Sequence, residues 1–235
     1  MTSQPLAADD DASGDTVVHV LRHGEVHNPD GILYGRKPGF HLSERGQAMA
    51  QRIADTIGHR DITHVIASPL ERAQETAAPT AAARGLEVLT DDRVIESEND
   101  FEGTPFSLSS LTQPQIWPKL WNPFRPSWGE PYADIARRMS SAIKDARDAA
   151  DGHEALVVSH QLPIWIARLA AEGRWFVHDP RSRRCSVCSL TSFHFRGGRL
   201  LRVVYSEPAA DMIPISERGK NFSSGGRGAA QEQAS

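Results

Sequence analysis

The residues of this 235-residue chain best suited to chemistry are Arg22 and His23, in Leu21-Arg22-His23-Gly24-Glu25. A neutral histidine ring offers a nitrogen that can attack phosphorus. An adjacent guanidinium presents a fixed fork of donors to phosphate oxygens, and a glycine lets a ligand come close to the backbone. Two later motifs supply matching groups: Ser68-Pro69-Leu70-Glu71-Arg72-Ala73 and Val157-Val158-Ser159-His160. Arg22, Arg72 and His160 together would surround a transferring phosphoryl group, whose charge spreads over its equatorial oxygens in the transition state. Gln161 follows His160 at an expected helix start, where its backbone N–H can face an anion.

Each residue also has a plainer reading. His23 could pack at a strand end, Arg72 could be a solvated helix arginine, and His160 a satisfied core histidine. A metal is the other rival, because His23 and His27 are four apart. A zinc-protease helix, however, needs Glu directly after its first His and would not run into Asn28-Pro29-Asp30-Gly31, so no metal is expected. Cys185 and Cys188 form a lone Cys-x-x-Cys without the second ligand pair of a zinc site or the βα junction of a redox site. They are read as free thiols, placed by the two-residue period on opposite faces of a strand spanning 185–195.

The elements that must position these groups alternate as strand and helix. The run 16–20 is β-branched and ends at Arg22-His23. Met49, Ile53 and Ile57 recur at helical spacing after Leu42-Ser43, with Gly58 placed to end that helix. Residues 63–67 read as a strand, and Ser68-Pro69-Leu70-Glu71 as an N-cap, a first-turn proline and a capping-box glutamate, so that Arg72 lies in a first helical turn. A strand over 86–89 leads to Arg93-Val94-Ile95-Glu96. Ile135, Met139, Ile143 and Ala146 mark a long amphipathic helix ending near Gly152. Residues 155–158 form an apolar strand feeding His160 and a helix to about Glu172, with Pro163 tolerated in its first turn. The segments 185–195 and 200–205, joined across Gly197-Gly198, read as a terminal hairpin. This alternation predicts an α/β fold with a mainly parallel central sheet and helices on both faces, its chemistry at the carboxyl edge.

With 39% apolar residues the chain can bury one sizeable core, so one domain is expected over 16–215. The flanks 1–15 and 216–235 are polar or Gly-, Ser- and Gln-rich and read as disordered tails. A net charge of -4 argues against nucleic acid or anionic membrane as partners. The start lacks an apolar signal-peptide core and no stretch is long enough to span a bilayer, which makes a cytoplasmic location the default expectation. Oligomeric state is not legible.

Together these motifs resemble the histidine phosphatase superfamily, which includes phosphoglycerate mutases and many phosphomonoesterases. The resemblance runs from about Val17 to about Tyr205. It is carried by Arg22-His23-Gly24-Glu25, Leu42-Ser43-Glu44-Arg45-Gly46, Ser68 to Ala77, Glu96 with Phe101-Glu102-Gly103, Gly129-Glu130, and Ser159-His160. It implies the phosphoglycerate mutase-like fold, His23 as nucleophile, Arg22, Arg72 and Asn28 as phosphate contacts, and Glu96 as the acid that protonates the leaving alkoxide. Two features depart from the family pattern: the gap from Glu96 to Phe101-Glu102-Gly103 is one residue short, leaving Glu98 as a competing acid, and Asn28 lies slightly nearer to His23 than usual. Glu96 is favoured because it follows the apolar Val94-Ile95. Glu25, Leu42-Ser43 and Gly129-Glu130 read as scaffold. The stretch 104–128, with Trp117, Trp121, Phe124 and Trp128 among prolines, reads as an aromatic packing cluster or, from its place between the acid and the long helix, as the candidate lid.

The resulting expectation is a metal-independent and cofactor-independent phosphatase acting on a small phosphomonoester through a phosphohistidine. Mutase-type phosphoryl transfer is the alternative, disfavoured because the residues after Glu96 are unlike those of true mutases. A catalytically decayed phosphate-binding module is the third reading.

Overall fold

The structure is a computed structural model and describes residues 14–98 and 129–215. Six strands, β1 (Asp15–Arg22), β2 (Ile62–Ala67), β3 (Val88–Thr90), β4 (Glu154–Ser159), β5 (Leu190–Arg196) and β6 (Arg199–Ser206), form one sheet in the order β3-β2-β4-β1-β5-β6. The first four strands run parallel, and β5 and β6 add an antiparallel edge. Four helices cover the sheet: α1 (Glu44–Ile57) and α2 (Glu71–Arg84) on one face, α3 (Tyr132–Ala149) and α4 (Gln161–Ala171) on the other. The chain thus has the expected α/β architecture.

The central strands are apolar along their whole length because both of their faces are covered. Val18, Val20, Ala155 and Val157 pack against Ile135, Met139, Ile143 and Ile166 of α3 and α4. The alternate residues Leu21, Leu156 and Val158 pack against Met49, Ile53, Ala73 and Ala77 of α1 and α2. Adjacent strands β1 and β4 therefore feed helices on opposite faces, and the crevice at their carboxyl ends is where such a sheet leaves room for a ligand.

Two local expectations need correction. Helix α2 begins at Glu71, with Leu70 as its N-cap and no side-chain capping bond. Ser68 does not cap it because its Oγ is engaged with His160 Nε2 at 2.8 Å and reaches Leu70 N only at 3.4 Å. Glu71 accepts from Gly39 N instead, although Arg72 still falls in the first turn. The second correction concerns the cysteines. Strand β5 starts at Leu190, and Cys185 and Cys188 precede it in a turn where Cys188 takes a φ of 51°. The thiols still part to opposite sides of the sheet, Cys185 into the α3–α4 core and Cys188 into the α1–α2 core. Both are free, and burial pushes them up to about 11 and about 12, so they remain protonated and inert at neutral pH.

The loop after β1 is held against the start of α1. Ser43 caps α1 by accepting from Gly46 N at 3.0 Å, and its hydroxyl donates to Glu25 Oε1 at 2.8 Å. Arg45 pairs with the other carboxylate oxygen of Glu25. Two glycines permit the approach: a Cβ on Gly24 would meet Gly46 O at 2.8 Å, and one on Gly46 would meet Glu25 O at 2.1 Å. Since both neighbours are backbone, Gly46→Ala has to push α1 away from the segment next to His23. Overpacking of this kind costs about 1–3 kcal/mol, so thermal unfolding of Gly46→Ala should show a clear drop in Tm. An unchanged Tm would mean that the two segments do not constrain each other.

Candidate active site

Strand ends bring the predicted groups together. Arg22 is the last residue of β1, and the parallel ladder continues one step further through His23 N to Ser159 O at 3.1 Å, which sets His23 beside the end of β4. His160, the N-cap of α4, follows directly, and the two imidazole centroids lie 5.1 Å apart. Arg72 comes from the first turn of α2, beyond the end of β2. Gly24 N donates to Thr76 Oγ1, which itself donates to Arg72 O, tying the loop after β1 to that turn.

His23 is buried, and its Nδ1 is 2.8 Å from Gly24 O. Because a carbonyl only accepts, the proton is on Nδ1 and the lone pair on Nε2. Burial lowers the His23 pKa well below the ordinary imidazole value, and the Arg72 and Arg22 charges lower it further, so the ring is neutral at physiological pH. His160 is also buried and likewise held neutral, by burial first and then by Arg72, His23 and Arg22. Its Nε2 shares a hydrogen bond with Ser68 Oγ, and its Nδ1 has no partner among the described residues.

The two arginines are fixed by backbone carbonyls. Arg22 Nη1 donates to Cys185 O at 2.6 Å and Arg72 Nη2 to Gly35 O at 2.6 Å. Arg72 is completely buried, its guanidinium 4.6 Å above the ring of Tyr34, and its Nε and Nη1 make no hydrogen bond among the described residues. A buried guanidinium with unused donors is costly unless an anion completes it. Two neutral imidazoles and two cations at one strand edge can together receive a dianionic phosphoryl group and offer it a nitrogen nucleophile.

Glu96 and Glu98 are placed differently. Glu96 is half-buried, accepts from Ser97 N at 2.9 Å, and lies close enough to Arg72 and Tyr34 to act on both electrostatically. Its backbone is clamped: Arg36 Nε donates to Glu96 O, and Arg138 Nη1 donates to the carbonyls of Arg93 and Ile95, each at 2.7 Å. Arg138 is in turn held by Glu130 at 2.8 Å. Ser159 Oγ donates to Val94 O at 2.7 Å, which joins this segment to the end of β4. Glu98, by contrast, is exposed and pairs with Arg36 at 2.8 Å.

Asn28 is buried, but its amide is used locally: Nδ2 donates to Ile32 O and Oδ1 accepts from Ile32 N. Gln161 occupies the first position of α4 and its Nε2 reaches Cys185 O at 3.3 Å. His27 is exposed and does not join His23. Among the described residues no group of three or more His, Cys, Asp or Glu side chains is placed to hold a metal ion. No helix among them is long and apolar enough to cross a membrane. The segment 104–128 and Phe101-Glu102-Gly103 lie outside the described residues.

Three participants escape the sequence reading. Tyr34, which packs against Arg72 and edge-on to His23 with centroids 6.5 Å apart, sits in a loop with no periodic signal. Ser68 reads as a helix cap although it bonds His160. Arg183, buried near Glu96 and Arg22, looks like one more charge in Arg181-Ser182-Arg183-Arg184.

Comparison with known proteins agrees with this geometry. The family model for the histidine phosphatase superfamily (branch 1) matches residues 18–207. The uncharacterized protein Rv0525 of Mycobacterium tuberculosis is 57% identical over 198 residues, covering 83% of this chain and 98% of its own length. A probable phosphoglycerate mutase GpmB of Yersinia enterocolitica is 33% identical over 186 residues, covering 76% of this chain and 85% of its own. Among solved structures, Bacillus stearothermophilus YhfR superposes with a TM-score of 0.69 at 24% identity, covering 79% of this chain and 94% of that one. Mycobacterial glucosyl-3-phosphoglycerate phosphatase does so with a TM-score of 0.66 at 22% identity, covering 81% and 97%. The chain belongs to branch 1 of the histidine phosphatase superfamily.

Proposed function

We propose that this protein hydrolyses a small phosphomonoester without metal or organic cofactor, by way of a phosphohistidine on His23. The observation that carries this reading is the Nδ1 contact of His23 with Gly24 O, which leaves the Nε2 lone pair of a neutral ring beside Arg22, Arg72 and His160. In the first step Nε2 attacks phosphorus, the P–O bond to the alcohol breaks, and Glu96 donates its proton to the leaving oxygen. In the second step water attacks the phosphohistidine, Glu96 takes the water's proton, and phosphate leaves with His23 restored. Arg22 and Arg72 bind the equatorial oxygens throughout, where their fixed forks serve better than flexible ammonium groups. His160 hydrogen-bonds the same phosphoryl group through its unpartnered Nδ1, and the backbone N–H of Gln161 faces it from the start of α4. The burial of Asn28 beside this loop supports a role in holding the loop more than a direct phosphate contact.

The named likeness to a probable phosphoglycerate mutase keeps phosphoryl return to a second hydroxyl as the alternative outcome of the same intermediate. Product analysis separates them: free phosphate accumulates in hydrolysis and does not in transfer.

His23→Ala should fold normally and lose at least ~10³-fold in turnover, in line with removal of a nucleophile, while the parent protein traps acid-labile label on His23 and keeps its activity in EDTA. Label on another residue, or activity that a chelator abolishes and a divalent ion restores, would sink the mechanism.

Glu96→Gln should depress turnover most for alkyl phosphates, whose leaving oxygen needs a proton, and least for an aryl phosphate. Glu98→Gln should change neither appreciably, because that carboxylate is committed to Arg36 at the surface. The opposite pattern would transfer the acid role to Glu98.

The pH profile follows from the direction of the His23 shift. Protonation of Nε2 removes the nucleophile, and burial with two nearby guanidinium groups lowers the pH at which that happens. After correction for the substrate's own second ionisation, kcat/KM should therefore stay level as pH falls through 6.5, the ordinary imidazole value. Arg72→Gln removes one repelling charge, so an NMR titration of the His23 ring should then give a higher midpoint than in the parent. A parent midpoint at or above 6.5 would contradict the assigned electrostatics.

A further inference from the structure

One buried cation near the site is left over by the mechanism. Arg183 is only 8% exposed, yet among the described residues no carboxylate lies within ion-pair distance of it. Its single side-chain hydrogen bond runs from Nε to His178 Nε2 at 2.8 Å. His178 is a neutral partner: its Nδ1 donates to Phe176 O at 2.5 Å, which leaves Nε2 as an acceptor, and burial lowers its pKa. The imidazole is braced between Tyr132 and Trp165, each with a ring centroid 5.8 Å away. This arrangement orients the guanidinium without neutralising it.

A buried guanidinium without a counter-ion costs several kcal/mol, so a purely structural arginine here would carry a carboxylate partner. Among the described residues the terminal amino groups of Arg183 have no hydrogen-bond partner, and they are not sealed from solvent. Its backbone is tied to the phosphoryl site: Arg183 O accepts from Cys185 N, and the carbonyl of Cys185 is the acceptor for Arg22. Glu96, Tyr132, Cys185 and Arg22 are the groups whose charges act on Arg183. The guanidinium is therefore within electrostatic reach of both the proposed acid and the first phosphate arginine, near enough to meet a part of the substrate beyond its scissile oxygen.

We propose that Arg183, oriented by His178, forms a second anion subsite beside the phosphoryl site, so that the preferred substrate is a phosphomonoester carrying a further carboxylate or phosphate. The inference rests on the phosphomonoesterase reading above and deepens it. A planar fork with two free amino groups suits a bidentate contact with either anion.

The test compares substrates that differ by one anionic group: 3-phosphoglycerate with glycerol 3-phosphate, and fructose 1,6-bisphosphate with fructose 6-phosphate. The first pair reads a carboxylate and the second a phosphate. In the parent protein kcat/KM should favour the two-anion member of at least one pair by about ten- to a hundredfold, as expected for a charge-assisted hydrogen bond. Arg183→Gln should abolish that ratio, and Arg183→Lys should restore part of it. Because the readout is a ratio within a pair, a general loss of folding or catalysis cancels. His178→Phe keeps the ring but removes the acceptor, and should lower the ratio in the same direction. A ratio unchanged in Arg183→Gln, or no preference for the second anion in either pair, overturns the subsite. If the parent turns over none of these compounds and no aryl phosphate, the hydrolase reading fails on its own. Calorimetric titration of the same four ligands into His23→Ala, with and without Arg183→Gln, then decides the subsite through the ratio of Kd values.

Discussion

The burial of Arg72 is the constraint on which the rest of the site depends. A guanidinium with no exposed surface and, among the described residues, no carboxylate partner and two unused donor atoms is unstable by itself, and the fold holds it by several weak means at once. Its forward edge rests on the Gly35 carbonyl, its flat face on Tyr34, and its backbone on Thr76. None of these removes the charge. Burial, with the Arg72 charge added to it, keeps His23 and His160 neutral, so the proposed phosphate ligand would also help to keep the proposed nucleophile unprotonated.

Such a cluster demands rigidity, because like charges and neutral rings so close together would separate if the chain allowed it. The strand ladder supplies part of the restraint through the His23 bond to Ser159, and the glycine-to-glycine contact between the loop after β1 and α1 supplies another. The Glu25 carboxylate, shared between Ser43 and Arg45, binds that contact from the side. Glu96 belongs to a separate unit, tied to α3 by Arg138 and to β4 by Ser159. Its position is thus fixed by bonds separate from those that hold Arg22 and Arg72.

What could be read from the sequence follows from how local each signal is. The parallel sheet, the helices after Ser43 and His160, and the gathering of Arg22, His23, Arg72 and His160 come from strand ends and helix periods, which depend on neighbours within a few residues. Ser68 was misread for a physical reason: a serine before Pro-Leu-Glu satisfies every local rule for a cap, and only its partner 92 residues away claims the hydroxyl. The turn at 185–189 was hidden in the same way, since its small and apolar residues fit a strand until the left-handed Cys188 breaks the run. Tyr34 and Arg183 escape a local reading because one is a loop tyrosine without a pattern and the other an arginine whose partner is a histidine and, among the described residues, no carboxylate.

The charge balance explains why such a site suits a doubly charged ligand better than a neutral one. Among the described residues Glu96 acts on both Arg72 and Arg183, and Glu71 on Arg72, while no carboxylate forms an ion pair with either arginine and both histidines are held neutral. In the proposed reaction a phosphoryl dianion would compensate Arg22 and Arg72, and as charge moves onto the equatorial oxygens in the transition state their preset donors would need no reorganisation. Arg183 remains unmatched by that group. The fold braces it with a neutral histidine between two aromatic rings and, among the described residues, gives it no carboxylate within ion-pair distance, so under the proposed function a second anionic group of the substrate would supply the compensation. On that proposal, discrimination by the parts of a substrate remote from phosphorus would be an electrostatic property of the 178–183 segment, separate from the chemistry proposed at the ends of β1 and β4.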